Sequence, residues 1–182
     1  MFKSTGKKLR QELDLYYDDG QGEIICIEFK FHRTGCVSST FAHTDAAGRI
    51  INDLRRLQLI QASSNVPIKR LLVYVTDDEM HNYLANTAHS SQNKKYRTAL
   101  SSFYQNGSLL CPVSSVPKIF PTTFYDCANS SFNGTSTINI SAVKVFDQSF
   151  SNPSCPSLLN GNCHISIFEI QSNTTKNNEN ND

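Results

Sequence analysis

The stretch that decides the fold is residues 23–31, which reads EIICIEFKF. Its side chains alternate in polarity and are rich in strand formers, so it predicts a β-strand. Residues 9–17, LRQELDLYY, show the same alternation, and the turn-forming segment DDGQG lies between the two. Together the three segments predict a β-hairpin.

The register of this hairpin follows from its loop. A three-residue loop of glycine, glutamine and glycine places Asp14 opposite Glu28 and Glu12 opposite Lys30. A two-residue loop would place Asp14 opposite Ile27 and mix polar with apolar neighbours, so the polarity pattern favours the first register. Directly opposed residues point to the same face, with Cβ atoms roughly 4.5–5.5 Å apart. Two carboxylates therefore face each other, with an amine one step along the strand.

This arrangement predicts a metal site. Facing like charges destabilise a sheet, and a bound divalent cation would remove that conflict. Mg²⁺ prefers a few carboxylate oxygens together with water and a substrate phosphate. A nearby ammonium group can orient a water molecule or stabilise developing charge on the phosphate. The alternative interpretation is an exposed polar face, on which Glu12 and Lys30 form a surface ion pair worth about 0–1 kcal/mol.

The rest of the chain predicts an α/β fold, with a mixed β-sheet flanked by helices. An apolar stripe predicts a helix over about residues 45–61. The sequence IKRLLVYVT predicts a largely buried strand, and the acidic pair after it begins another helix. The remaining predicted elements are a helix over residues 94–104 and strands over residues 138–146 and 164–171.

Asp14, followed by Glu28-Phe29-Lys30 at the end of an apolar strand, resembles the D…(D/E)-x-K motif of the PD-(D/E)XK nuclease superfamily. The later segments DLRRL (residues 53–57) and LLVYVTDD (residues 71–78) are similar to those of an uncharacterised bacterial branch of nuclease-like proteins. The resemblance covers about residues 9–90 and implies a restriction-endonuclease-like core.

The resemblance also implies roles for the matching residues. Asp14, Glu28 and the backbone carbonyl of Phe29 would bind Mg²⁺, with Mn²⁺ as a substitute. Lys30 would position or activate the attacking water. The implied reaction is hydrolysis of a phosphodiester bond in DNA, with RNA left open as a substrate.

The sequence departs from the family pattern before the first strand. Family members usually carry a preceding helix, often with another acidic residue, and only 13 residues precede Asp14. Glu12 is the candidate for that missing acid. The departure supports a second interpretation, in which the chain is a catalytically inactive nuclease-fold protein acting as a nucleic-acid-binding or assembly subunit. A third interpretation is a protein-interaction module that binds no metal.

Basic side chains on two predicted helices are candidates for contacting nucleic acid. On the first helix, Arg56 is a candidate phosphate contact and Asp53 a candidate for orienting the site, and Arg55 lies beside them. On the later helix the candidates are Lys94 and Lys95. For each basic residue the alternative is a solvated helix face. Cutting both strands of DNA would favour a homodimer.

Composition narrows the class of protein. The 182 residues carry 17 basic and 16 acidic side chains, which excludes a polycation or polyanion. No apolar run approaches the roughly 18 residues of a spanning helix, so we expect no membrane partner. The amino terminus does not read as a signal peptide, and we therefore expect a cytoplasmic protein.

Residue types and their spacing set further expectations. Six cysteines in a chain without an export signal predict free thiols rather than a disulfide framework, and the absence of a C-x-x-C pair argues against a structural zinc site. Serine and cysteine nucleophiles have no evident histidine partner in sequence, which argues against an acyl-transfer enzyme. We expect one nuclease-like domain over residues 1–171, with a core over about 9–105 and a weakly charged extension over about 106–171. The polar residues 172–182 are expected to be disordered.

Overall fold

A computed structural model describes residues 13–18, 20, 22–32, 43–61, 66–85, 94–111, 120–132, 137–151 and 162–171. In chain order the strands are β1 (Leu15–Asp18), β2 (Ile24–His32), β3 (Ile68–Asp77), β4 (Ser108–Cys111), β5 (Ile138–Ser151) and β6 (Asn162–Ile170). The helices are α1 (His43–Gln58), α2 (Asp78–Ala85), α3 (Lys94–Asn106) and α4 (Thr122–Ala128). The strands form one six-stranded sheet in the order β1-β2-β3-β6-β5-β4. The α/β fold class with a mixed sheet is therefore confirmed.

The predicted hairpin and its register are confirmed over β1 and β2. These strands are antiparallel, with Leu15 opposite Ile27 and Asp18 opposite Ile24. The pairing stops at Leu15, so Asp14, which was predicted to lie within the strand opposite Glu28, precedes β1 in a bend. Glu12 and the earlier part of the predicted first strand lie outside the described residues.

Helix α1 connects β2 to β3, which run parallel from Ile24 opposite Ile68 to His32 opposite Thr76. Its predicted apolar stripe is buried, because Ile50, Ile51, Leu54 and Leu57 are each at most 2% exposed. The helix ends at Gln58 rather than near residue 61. The next strand begins at Ile68, where the prediction placed it.

The second half of the chain completes the sheet. Strand β6 pairs with β3, so residues beyond 106 belong to the same sheet as the strands of the first half. Strand β5 extends to Ser151, beyond its predicted end, and continues to pair with β6 after a bulge between Lys144 and Phe146. Strand β4 and helix α4 were not predicted, because both are short and lie among Ser-, Asn- and Pro-rich segments.

Helix α4 packs on α1 at a glycine. A Cβ atom on Gly48 would lie 2.4 Å from the backbone oxygen of Phe124 and 2.7 Å from Cβ of Cys127. Any side chain at this position would therefore force the two helices apart. This close packing brings the turn after α4 beside the end of β2.

The described helices share one face of the sheet. In β2 the even-numbered residues face α1, and Phe29 and Phe31 point to the opposite face, where they are more than half exposed. Helices α2 and α3 reach the helix-covered face through the His81–His164 stack and the Phe103–Phe168 contact. Of the helices described, none is long and apolar enough to cross a membrane.

Candidate active site

Strand β2 directs Glu28 and Lys30 toward helix α1, where they meet charges of the opposite sign. The Lys30 Nζ atom lies 2.7 Å from Asp53 Oδ2. The Arg56 guanidinium lies 3.3 Å from Glu28 Oε1 and 3.2 Å from Asp53 Oδ1. The two strand residues and the two helix residues thus form one ion-pair network. Glu28 is only 8% exposed, so this is not the solvated polar face of the alternative interpretation.

Asp14 joins this network from the start of β1. Its Oδ2 atom accepts a hydrogen bond of 2.7 Å from the backbone N–H of Phe29. The N–H and C=O groups of one strand residue point to the same side, so the Phe29 carbonyl faces the Asp14 side of β2 as well. Asp14 therefore lies on the β1 side of β2, near enough to Glu28 to raise the pKa of the Glu28 carboxyl.

The buried position of Glu28 changes its acidity. Burial raises the pKa of the Glu28 carboxyl, and the neighbouring carboxylates of Asp53 and Asp14 raise it as well. Arg56 and Lys30 act in the opposite direction. Three acidic side chains, Asp14, Glu28 and Asp53, lie near three basic ones, Lys30, Arg56 and Arg49, the last of which lines the adjoining cavity with Lys30 and Asp53. A cation placed against the Glu28 carboxylate would favour its ionised form, which burial disfavours.

Two carboxylates and one backbone carbonyl are the candidate oxygen donors of this site. The described part of the chain contains no group of three or more His, Cys, Asp or Glu side chains placed to hold a metal. Mg²⁺ does not require such a cage, because it is usually bound by one or two carboxylates with water and substrate phosphate completing the shell. Asp14, Glu28 and the Phe29 carbonyl offer a donor set of that type.

A cavity of about 350 Å³ opens next to Lys30. It is lined by Lys30, Arg49, Asn52, Asp53, Cys127 and Ser130. The walls come from β2, α1 and the end of α4, so the unpredicted helix completes the cavity. Two of its lining residues are cationic, which suits a phosphate group.

Sequence reasoning missed Arg49 at this site. The signal was present, because Arg49, Asp53 and Arg56 follow the i, i+4, i+7 spacing of one helix face. The motif DLRRL (residues 53–57) begins four residues after Arg49, so it points only to the next turn of the helix. Arg49 is exposed, which leaves its guanidinium accessible to a ligand.

His32 lies one step beyond Lys30 on the same side of β2. Burial, together with the nearby charge of Lys30, lowers the pKa of its imidazole to about 4. The ring is therefore neutral at pH 7, and its Nδ1 atom is 3.2 Å from the Tyr74 hydroxyl. It packs beneath the site as an uncharged side chain.

The four basic candidates for nucleic-acid contact have different environments. Arg56 lies in the site network, where it pairs with Glu28 and Asp53. Arg55 is 7% exposed and donates to the Ala128 carbonyl at 2.7 Å, which gives it a structural role between α1 and α4. Lys95 is exposed on α3, and the side chain of Lys94 lies outside the described part of the structure.

The aromatic residues near Lys95 form no surface patch with it. Tyr96 and Tyr104 are each 2% exposed and belong to the core. Arg97 is 3% exposed, with its guanidinium 3.6 Å from the centre of the Tyr83 ring. This segment of α3 therefore packs against the core. Among its described basic side chains, Lys95 is the exposed one.

A second polar cluster corrects one expectation from the sequence. Ser149 does have a histidine partner, because its Oγ atom lies 2.8 Å from Nδ1 of His164. The other ring nitrogen, Nε2, lies 2.5 Å from Asp78 Oδ1. The residues belong to β5, β6 and α2, so only the folded sheet brings them together. The serine and the carboxylate contact the opposite ring nitrogens from those used in serine-protease triads.

This cluster is tied into the packing of the sheet against its helices. The His164 ring stacks on His81 with centroids 3.8 Å apart. Burial lowers the pKa of His81, as does the neighbouring His164. His81 in turn contacts the Tyr104 hydroxyl at 3.0 Å, and that hydroxyl contacts Ser166. We assign the cluster a structural role, joining α2 and α3 to β5 and β6.

Among known proteins, no family model, no curated protein and no solved structure matches this chain.

Proposed function

We propose that this chain is a Mg²⁺-dependent nuclease that hydrolyses phosphodiester bonds, with DNA as its substrate and RNA as an alternative to be tested. The observation that supports the proposal is the position of Asp14, bonded to the Phe29 backbone, on the same hairpin as Glu28 and Lys30, beside a cavity lined by Lys30 and Arg49. The proposal includes a restriction-endonuclease-like core formed by the hairpin, α1 and β3.

Asp14, Glu28 and the Phe29 carbonyl would hold the metal ion. When bound, Mg²⁺ supplies positive charge that neutralises the phosphate and stabilises the transition state. Glu28 is suited to this role because burial has already removed water from its carboxylate. A cation there would favour the ionised form of Glu28, which burial disfavours.

Lys30 is the proposed catalytic residue nearest to the attacking water. Its ammonium group donates hydrogen bonds, so it can orient the water or stabilise charge developing on a phosphate oxygen. Asp53 is a positioning residue, because its 2.7 Å contact fixes the Lys30 amine at the cavity wall. Arg49, on the same wall, would hold a neighbouring phosphate.

One observation favours a second candidate function. Lys30 and Glu28 are both already engaged with α1, through Asp53 and Arg56. In a catalytically inactive nuclease-fold protein, these contacts would serve only to stabilise the β2–α1 interface. Such a protein would act as a nucleic-acid-binding or assembly subunit.

A cleavage assay with matched variants separates the two functions. Purified wild-type protein, Lys30→Ala and Asp14→Asn are incubated with labelled DNA and, separately, RNA in the presence of Mg²⁺, Mn²⁺ or EDTA. Asp126→Asn is the control, because it makes the same chemical change as Asp14→Asn at an exposed position on α4. Circular dichroism verifies that each variant is folded.

The nuclease proposal predicts metal-dependent cleavage by the wild type and the control. It predicts at least about a 100-fold loss in Lys30→Ala and Asp14→Asn, because each removes a group acting at the reacting phosphate. Absence of cleavage by the wild type on both substrates with either metal would overturn it. Retained binding to nucleic acid in that case would support the second candidate.

A further inference from the structure

The sheet has a second face that no described helix covers. In the order of pairing, Phe29, Val73, Ile167 and Phe146 lie side by side across β2, β3, β6 and β5. These residues form an apolar row that runs across most of the sheet. We call the surface built around this row the open face.

Large exposed side chains continue the open face on both sides of the row. Leu15, Tyr17, Phe29 and Phe31 are 46–57% exposed on the hairpin. Val143, Phe146 and Phe150 are 39–48% exposed on β5. None of these side chains belongs to the buried core, which lies between the sheet and the helices.

The open face is large enough for a stable interface. Five strands spaced about 4.8 Å apart, with roughly seven residues each at about 3.3 Å, span roughly 500–600 Å² in projection. Side-chain relief brings the accessible area toward the roughly 800 Å² per partner of a standard protein interface. An apolar patch of this size marks an interaction site on a soluble protein.

The charge of the open face favours another apolar, neutral surface. Among its described strand residues the exposed charges are Lys69 and Glu169, which pair with each other at 3.8 Å. The face therefore lacks the cluster of cations that would attract nucleic acid or an anionic membrane. A second copy of the same face meets the requirement for a neutral apolar partner.

The terminal segments of the chain are poor candidates to cover the open face. Residues 1–12, MFKSTGKKLRQE, contain three large apolar side chains among five charges. Residues 172–182, SNTTKNNENND, contain none. Residues 172–182 offer no large apolar side chain, and covering the face with residues 1–12 would bring five charged side chains against an apolar surface.

We infer that two copies of this chain associate through their open faces to form a homodimer. The two sheets would stack about 10 Å apart with their strands within about 30° of each other, as in β-sandwiches. The interface would be isologous, so each substitution enters it twice. Glu28 and Lys30 point away from the open face, so the two candidate active sites lie on the outer sides of the dimer.

The inference is tested by measuring the mass of the full chain in solution. Sedimentation velocity is recorded over a concentration series for wild type, for the double variant Phe146→Glu/Phe150→Glu, and for Leu59→Glu. Leu59 is the matched control, because it is 57% exposed but lies just after α1, away from the open face. Thermal melts monitored by circular dichroism establish that every variant is folded.

The expected result is a dimer for wild type and for Leu59→Glu. The double variant should associate at least about 100-fold more weakly, because symmetry would bury four carboxylates in one interface. A wild type that stays monomeric throughout the series would overturn the inference, as would a double variant with wild-type association. Deletion of residues 1–12 should leave the dimer intact, and its loss on deletion would also overturn the inference. The result does not depend on whether the protein cleaves nucleic acid.

Discussion

Strand β2 buries a charged side chain on one face and exposes an aromatic side chain on the other, which is the reverse of the usual distribution. On the helix-covered face Glu28 is only 8% exposed, and on the open face its neighbour Phe29 is 51% exposed. Burying a charge and exposing an aromatic ring both cost free energy. Strand β2 carries both costs. A ligand for the buried Glu28 carboxylate and a partner for the exposed Phe29 ring would account for them. This contrast underlies both the proposed metal site and the proposed dimer.

The largest expected effect compares two adjacent leucines of β3. Leu72 lies on the helix-covered face at 0% exposure, and Leu71 lies on the open face, where it is only partly buried. Leu72→Ala should lower the free energy of unfolding by about 3–4 kcal/mol, because it leaves a cavity in the core. Leu71→Ala should cost about 1 kcal/mol in the monomeric Phe146→Glu/Phe150→Glu background. Urea denaturation measures both, and equal losses would show that the open face is covered within the monomer.

The next effect is expected at Asp53, which holds two cations on the helix-covered face. Asp53→Asn should lower the free energy of unfolding by about 2–3 kcal/mol, because Lys30 and Arg56 lose a buried counter-charge. The loss stays below that of a fully buried pair, since both cations retain some exposure. Asp126→Asn, the exposed control, should change stability by less than about 0.5 kcal/mol. A value for Asp53→Asn as small as the control would contradict the network.

His32 should make the helix-covered face sensitive to acid. Its pKa in the folded protein is about 4, below the 6.5 of an unfolded histidine, so its contribution is present above pH 6.5. Lowering the pH protonates the unfolded chain first, and stability is lost as the pH falls from 6.5 toward 4. The expected loss is about 2 kcal/mol between pH 7 and pH 5.

This pH dependence is measured by urea denaturation of wild type and of His32→Gln across that range. The variant should lose most of the dependence, because glutamine does not titrate. An unchanged slope in His32→Gln would place the titrating group elsewhere.

The smallest effect on stability is expected at Glu28, where the effect on activity should be large. Burial raises the pKa of this carboxyl, so its ionised form opposes folding at neutral pH. Glu28→Gln removes that charge, and stability should stay equal or rise by about 1 kcal/mol. Cleavage should fall below detection, because a metal-binding carboxylate is lost. A variant that is both active and less stable would show that Glu28 is a structural residue.

The sequence was sufficient to predict the part of the fold set by local pattern. The register of β1 on β2 followed from the loop length and the alternation of polarity, and it placed Asp14 next to Glu28. The stripe of Ile50, Ile51 and Leu54 likewise located α1. These features depend on neighbours within about 30 residues, so periodicity reveals them.

Features that depend on distant contacts were missed or misread. Helix α4 is recognisable only with α1 beside it, because Gly48 creates the space it occupies. Arg55 and Arg56 are adjacent and chemically identical, yet one binds the end of α4 and the other the site network. The Ser149–His164–Asp78 cluster joins residues up to 86 positions apart. No local sequence pattern predicts contacts between residues so far apart in the chain.

The most direct test of the central claim is a crystal of the wild-type protein soaked in Mn²⁺ and measured at the manganese absorption edge. The account predicts an anomalous peak in contact with the carboxylates of Asp14 and Glu28 and with the carbonyl oxygen of Phe29. The same peak should be missing from crystals of Asp14→Asn treated identically. A wild-type crystal that holds manganese elsewhere, with none at these three oxygens, would contradict the assignment of a metal-dependent nuclease site.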